Sequence, residues 1–316
     1  MAKTAAIVGA GLIGRAWAVV FSRAGWNVRL HDPDPESLAR AMAWIPDCLD
    51  DLASLGLAQE PAAAAKRVTA HAAPADAIAG ARWVQENGPE VLEIKRDLFE
   101  RLDEVAAPDA ILASSTSAIV ASRFTDGLRG RARCLVAHPV NPPHLVPVVE
   151  LCGAPWTSQS TIERSREVML DIGQVPVIVK REIEGFVLNR LQGALLSEAM
   201  RLVGEDVVTP NDLDATIASG LGLRWSFMGP FATIELNAPG GVADYAARYS
   251  AFYRRLAADP APPSAWDADN ASRVSAALGE PRNASERNAR MRWRDARLAA
   301  LRAHQRSFAR DEGDST

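Results

Sequence analysis

Cysteine is scarce in this chain of 316 residues. Cys48, Cys134 and Cys152 are too few and too scattered for a disulfide framework or a CxxC metal site. They read as reduced, mostly buried thiols. Long apolar runs are also missing. No stretch reaches the ~18 uninterrupted apolar residues of a membrane span. The first apolar run, residues 5–11, contains glycines and begins almost at the first residue, unlike a secretion signal. The expectation is a soluble cytoplasmic protein. Positive charge is not in excess, because 35 basic residues face 39 acidic ones for a formal net charge of −4. No global field draws nucleic acid or an anionic membrane. Lysine is scarcer still, with Lys3, Lys66, Lys95 and Lys180 against 31 arginines. What remains is ordinary globular composition, 48% hydrophobic and 23% charged, in a chain long enough for two domains.

The N-terminal half alternates short apolar runs with helical patterns. Residues 5–8, 28–31, 83–85, 111–113, 133–137 and 175–179 read as strands, mostly continuous apolar runs of the kind buried on both faces. Helical periodicity fills 13–24, 35–55, 89–105 and 158–172. This repetition predicts a Rossmann-type doubly wound sheet. Residues 146–151 add a strand near the sheet edge, where prolines crowd its start. The stretch 59–81 is alanine-rich and poorly patterned. Beyond about Glu182 the β-like runs stop, and 185–203, 211–219, 230–236, 242–256, 266–278 and 284–306 favour helix. The division expected is an α/β nucleotide-binding domain over 1–183 and an all-α substrate and dimerisation domain over 184–316. Residues 282–310 hold nine arginines against Glu286 and Asp295, and read as a solvated face or subunit contact rather than a polyanion site.

Ile7-Val8-Gly9-Ala10-Gly11-Leu12-Ile13-Gly14 is a GxGxxG between a strand and a helix. Gly9 permits the tight turn, Gly11 lets backbone approach a pyrophosphate, and Gly14 allows helix and strand to pack closely. The helix start, at Leu12 and Ile13, offers unpaired N–H groups to phosphate. A second strand ends at Asp32, where a carboxylate can bind the adenosine ribose 2′-hydroxyl. Pro33 and Asp34 follow, with no adjacent arginine for a 2′-phosphate, so the cofactor is read as NAD rather than NADP. FAD shares the fingerprint, but no second flavin signature is present.

Ser114-Ser115-Thr116-Ser117 and His138-Pro139-Val140-Asn141-Pro142-Pro143 each follow a strand's carboxyl end, where a doubly wound sheet binds its ligand. His138 there suits a general base, because imidazole titrates near neutrality. Glu150 can orient the ring and stabilise its protonated form. Taken alone, the residue types leave a purely structural His–Glu pair equally open. His71 and His144 read as surface residues. No Cys/His/Asp/Glu cluster has metal-ligand spacing.

In the early GxGxxG, Ser-Thr-Ser after a strand, His-x-x-Asn-Pro, Glu150 and Gly185-Phe186-Val187-Leu188-Asn189-Arg190, the chain resembles the 3-hydroxyacyl-CoA dehydrogenase superfamily. His-Pro-Val-Asn-Pro-Pro, Val84-Gln85-Glu86, Gly220-Leu221-Gly222-Leu223-Arg224-Trp225 and Arg292-Trp293-Arg294-Asp295 look like its lambda-crystallin / L-gulonate 3-dehydrogenase branch. The resemblance runs nearly end to end. It implies that His138 is the base and Glu150 its partner, with Ser117 and Asn189 around the substrate oxygen. It further implies that Glu90 and Lys95 lie near the cofactor and that the protein is a homodimer.

The reaction so implied is oxidation of the alcohol of a small 3-hydroxy acid such as L-gulonate or 3-hydroxybutyrate. Ser117, Asn141, Asn189 and Arg224 are candidate substrate ligands. Arg224, read as lying in a glycine-bracketed turn, suits bidentate binding of a carboxylate, with an interface salt bridge equally open. The segment 44–58, corresponding to the nucleotide-binding helices of acyl-CoA enzymes, carries Asp47, Asp50 and Asp51 and no basic residue. That disfavours a CoA 3′-phosphate. L-carnitine is the alternative acid, with Trp156, Trp225 and Phe227 as possible walls for its trimethylammonium. A 3-hydroxyacyl-CoA dehydrogenase, or a crystallin-like structural protein that binds NAD, are the further readings.

Overall fold

The computed structural model describes residues 3–279 and 283–313, with side chains through Phe308. Arg282 and the Arg310 side chain, from the basic terminal segment, lie outside the described residues. Among these residues eight strands form one sheet: β1 (Thr4–Val8), β2 (Asn27–His31), β3 (Val68–His71), β4 (Trp83–Glu86), β5 (Ile111–Ser114), β6 (Cys134–Pro139), β7 (Val148–Gly153) and β8 (Val175–Val179). Their spatial order is β3-β2-β1-β4-β5-β6-β7-β8. Neighbours are parallel except β6 and β7, which run antiparallel. The order reverses between β1 and β4, and ligands of doubly wound folds bind beyond the strand ends at such a point.

Strand parity explains the apolar runs. Ala5, Ile7, Trp83, Ile111, Ala113, Leu135 and Ala137 face one hydrophobic core, while Ala6, Val8, Val84, Leu112, Cys134 and Val136 face the other. A strand covered on both sides needs apolar residues at every position. The covers in this unit include α1 (Leu12–Arg23), α2 (Pro35–Ser54), α3 (Pro61–Lys66), α4 (Pro74–Ile78), α5 (Leu92–Val105), α6 (Ser122–Thr125) and α7 (Gln159–Asp171). Asp34 caps α2 by accepting from the Glu36 and Ser37 N–H groups at 3.0 and 3.1 Å, as N-cap carboxylates do.

The helical remainder is α8 (Leu188–Gly204), α9 (Pro210–Thr216), α10 (Gly222–Trp225), α11 (Pro230–Leu236), α12 (Gly241–Ala257), α13 (Ala268–Leu278) and α14 (Ala284–Gly313). Two compact units result, Met1–Asn189 with Met291–Thr316, and Arg190–Arg290. The expected second domain ran unbroken from 184 to 316, whereas here the residues from Met291 on belong with the sheet. The reason is packing, since Leu298, Ala299 and Ala303 join the core that holds Trp17, Ile45 and Leu49.

Other departures have local causes. The poorly patterned 59–81 contains α3, β3 and α4. Strand β3 was invisible because it is a four-residue edge strand whose middle positions, Thr69 and Ala70, are exposed. Helix α8 begins at Leu188 rather than 185, because Gly185 and Phe186 adopt φ of 76° and 49°, which no right-handed helix contains. Arg224 does not lie in a turn. A π-helical turn, Ile217–Leu221, runs directly into α10. A Cβ at Gly222 would lie 2.9 Å from the Ile217 carbonyl oxygen, so that glycine serves a tight helical wind.

Candidate active site

The three glycines of the first turn do different work. Gly9 has φ +95° and donates its N–H to the His31 carbonyl at 2.8 Å. A Cβ at Gly14 would sit 1.8 Å from the Gly9 oxygen, so only glycine fits there. Gly11 is the opposite case, because nothing lies within 4 Å of its missing Cβ. That open space faces the start of α1, whose N-cap, Gly11, supplies no side-chain partner. The first N–H groups of α1, at Leu12 and Ile13, are thus left for an anionic ligand. Asp32 is partly exposed at the end of β2, accepting from the Ala10 N–H at 2.6 Å and the Asp34 N–H at 2.8 Å. These residues fit a dinucleotide.

Beside this turn, at the end of β4, lies a buried polar array without a role in the sequence reading. Gln85 donates to Ser115 Oγ at 2.7 Å, and Ser115 donates to Asn87 Oδ1 at 2.7 Å. Glu86 is fully buried, and its two oxygens receive Lys95 Nζ at 3.1 and 3.0 Å. Ser114 Oγ and the Gly88 N–H also donate to it, each at 2.5 Å. Lys95 is itself 1% exposed, and its ammonium pairs with Glu86 and lies 3.9 Å from Glu90 Oε2. Glu90 Oε1 accepts from the Thr116 hydroxyl and from the Ala118 N–H at 3.1 Å. Glu90 therefore braces the loop that carries Ser117. The available signal was a strand, Val84-Gln85-Glu86, turning polar inside an otherwise apolar run.

The antiparallel step brings His138 and Glu150 together. In the β6–β7 register His138 stands directly opposite Glu150, and such cross-strand partners project from the same face. Both are buried, and His138 Nδ1 lies 2.8 Å from Glu150 Oε2. The other Glu150 oxygen accepts from the Val187 and Leu188 N–H groups at 2.7 and 3.0 Å. Burial pushes this carboxyl up, but the His138 bond and the Leu188 and Val187 N–H groups outweigh it, and the net shift is downward. Glu150 is thus ionised at neutral pH. An ionised acceptor on Nδ1 selects the tautomer with the proton there and leaves Nε2 as the acceptor.

Asn189, at the start of α8, donates through Nδ2 to the Ser117 carbonyl oxygen at 2.9 Å. The structure thus joins these two candidate residues through the Ser117 backbone. The Ser117 side chain is exposed, as is Asn141 on the loop after β6. Arg224 belongs to the second unit, is exposed in α10, and has no ion-pair partner among the described residues.

Three sequence readings change. His144 is not a surface residue, since it is 7% exposed and packs edge-on to Trp44 with centroids 5.5 Å apart. Trp156 already donates to Thr125 Oγ1 at 3.1 Å and carries the Arg131 guanidinium over its ring at 5.0 Å, so it is not an open cage wall. The acidic segment 44–58 does not stand alone, because the Arg15 guanidinium lies 4.4 Å from the Trp44 ring centroid and Arg306 donates to the Leu57 carbonyl. All three cysteines are free and buried.

Residues 4–183 match the 3-hydroxyacyl-CoA dehydrogenase NAD-binding domain, and residues 185–277 match the C-terminal domain of that family. A lambda-crystallin homolog from Bos taurus is 42% identical over 301 residues, covering 94% of each chain. An L-carnitine dehydrogenase from Streptomyces griseus is 37% identical over 76% of this chain and 72% of its own. Among solved structures, 5-formyl-3-hydroxy-2-methylpyridine 4-carboxylic acid 5-dehydrogenase, an NAD+-dependent dismutase, superposes with a TM-score of 0.83 at 30% identity, covering 96% of this chain and 98% of that one.

Proposed function

The chain belongs to the 3-hydroxyacyl-CoA dehydrogenase family of NAD-dependent oxidoreductases, and from that premise we propose that it oxidises the secondary alcohol of a small free 3-hydroxy acid, with His138 as base. The observation that carries this reading is the buried His138–Glu150 pair, 2.8 Å apart and set by strand register at the carboxyl end of β6. His138 Nε2 takes the hydroxyl proton of the substrate. Glu150, held ionised by its two backbone donors, stabilises the imidazolium that results. The Ser117 hydroxyl, on the loop braced by Glu90 and Asn189, hydrogen-bonds the substrate oxygen as negative charge grows there. Bound NAD supplies the hydride acceptor, and Gly11, the start of α1 and Asp32 are the residues that would hold it.

Asn141 is the proposed ligand of the substrate's carboxylate end. The expected acid is L-gulonate or a short relative such as 3-hydroxybutyrate. The dismutase whose structure is similar is named for a carboxylic acid, which supports a free acid over a CoA thioester. L-carnitine is the second reading, favoured by the 37% identity to a carnitine dehydrogenase. We also propose a homodimer through the second unit, where Leu223, Phe227, Phe231 and Leu236 are 63%, 73%, 76% and 74% exposed. Large apolar side chains left this exposed favour association.

NADH formation at 340 nm, measured with gulonate, 3-hydroxybutyrate, carnitine and 3-hydroxybutyryl-CoA, separates these readings. The expected result is turnover of a free acid, with kcat lowered by about 10²–10⁴ in His138→Gln. Undiminished turnover in that variant would remove the base assignment, and turnover of the thioester alone would remove the free-acid assignment.

A further inference from the structure

Residues 182–189 lead from β8 into α8 and are tied down at both ends. Glu182 Oε1 accepts from the Ser122 N–H at 2.7 Å, and Asn189 Nδ2 donates to the Ser117 carbonyl at 2.9 Å. Both anchors follow β5 in the chain. Between the two ties Gly185 takes φ +76° and Phe186 φ +49°. Among the described residues two other non-glycine residues, Glu60 and Asp206, have positive φ, and both are exposed, whereas Phe186 is fully buried. A bulky side chain enters the left-handed region at a cost. It stays there where the surroundings over-determine the conformation.

The surroundings do so here, and the result falls on the His138–Glu150 pair. The Phe186 N–H closes the turn on the Ile183 carbonyl at 3.1 Å. The next two N–H groups, of Val187 and Leu188, converge on Glu150 Oε1 at 2.7 and 3.0 Å. The Phe186 ring packs on the His138 imidazole, with centroids 5.6 Å apart and planes tilted by 35°. The same ring belongs to the core that holds Phe99, Phe124 and Cys152, so it cannot move freely. The Nδ1 bond to Glu150 fixes one atom of the imidazole and leaves the ring free to tilt about it. A locked aromatic surface against that ring fixes its plane.

We propose that Phe186 is a positioning residue for the base, a role that rests on the reading of His138 in the proposed function. One backbone conformation does two things. It turns two N–H groups onto the carboxylate, and it lays an aromatic ring against the imidazole, so that Nε2 keeps one direction. Phe186 acts through His138 and Glu150 rather than on the substrate. An acyclic apolar side chain at this position would still fill the core but would leave the plane of the imidazole unfixed. The left-handed conformation is thus retained for what it does to the pair.

Proton NMR of protein isotopically labelled in its histidines tests this without turnover. The hydrogen-bonded Nδ1–H of His138 should give a downfield resonance that disappears in His138→Gln. In Phe186→Leu that proton should exchange with water at least about tenfold faster. Phe186→Met should do the same, which covers a failure of the Leu variant to fold. Phe99→Leu thins the same core at its contact with Phe124, and should lower the melting temperature while leaving the resonance as in the parent. With the preferred acid, Phe186→Leu should lower kcat about tenfold and keep the KM for NAD within about twofold. No His138-dependent resonance in the parent, unchanged exchange in the folded Phe186 variants, equal acceleration in Phe99→Leu, or an undiminished kcat would each overturn the proposal. Failure to turn over any acid would remove the proposed function alone, because the resonance judges the ring's role without substrate.

Discussion

Replacing His144 by Phe should flatten part of the protein's acid sensitivity by a calculable amount. The imidazole is buried against Trp44, and its Nδ1 has no hydrogen-bond partner. Burial, followed by the nearby charges of Arg23, Arg15 and Arg294, pushes its pKa from 6.5 down to about 3. A base with a depressed folded pKa takes its proton preferentially in the unfolded chain. Above pH 6.5 this has no effect on stability. As pH falls from 6.5 towards 3 the unfolded state gains progressively, and below that the penalty is constant. At pH 5 about 1.5 pH units of this window have been crossed, which at ~1.36 kcal/mol per unit costs about 2 kcal/mol. Phe keeps a ring edge-on to Trp44 and cannot be protonated. Urea unfolding followed by tryptophan fluorescence at pH 7.5 and 5.0 should show the stability difference between variant and parent moving by about 2 kcal/mol in the variant's favour. Parallel pH dependence in the two proteins would refute the buried neutral imidazole.

The glycines of the first turn should separate cleanly. Gly14→Ala must displace the Gly9 carbonyl and should lower stability by roughly 2 kcal/mol or more, whereas Gly11→Ala should keep the melting temperature and raise the KM for NAD at least tenfold. Equal effects in the two would remove the assignment of different jobs. Lys95→Met leaves the Glu86 carboxylate buried and unpaired, and should cost about 3–5 kcal/mol in urea unfolding; an unchanged midpoint would show that the pair is inessential. Glu150→Gln removes the negative charge beside the imidazole, so kcat should fall by about 10² or more while the KM for NAD stays within about twofold, and a fall confined to KM would contradict the orienting role.

The nucleotide turn was legible in the sequence because Gly9 and Gly14 answer steric demands that no other residue meets, and Gly11 leaves its space open. The buried strands were legible for a similar reason, as continuous apolar runs bounded by turns. Strand order was not. Nothing in residues 139–147 announces that β7 runs back along β6, so the sequence paired His138 with Glu150 by type alone and could not derive their contact. Lys95 was read incompletely for a physical reason, because its carboxylate partner Glu86 lies on β4 and their pairing shows only in the fold. His144 misled likewise, since a histidine in a proline-rich loop reads as solvated unless the helix covering it is known. Helix α2 supplies that cover through Trp44, and the return of α14 to the first unit depends on contacts nearly 250 residues apart, such as Arg306 with Leu57.

The antiparallel register of β6 and β7 has a consequence for how such a protein diversifies. Because His138 and Glu150 are neighbours across a hydrogen-bonded ladder, their spacing is independent of the connecting segment 140–147. That segment can accept substitutions, and even changes of length, while the two strands stay in step. A slip of one residue, by contrast, would send the imidazole and the carboxylate to opposite faces of the sheet, so intermediate geometries are inaccessible. On the proposed function, the chemical step is thereby insulated from drift in the connecting segment. A lineage built on this hairpin can change its diet without rebuilding its base.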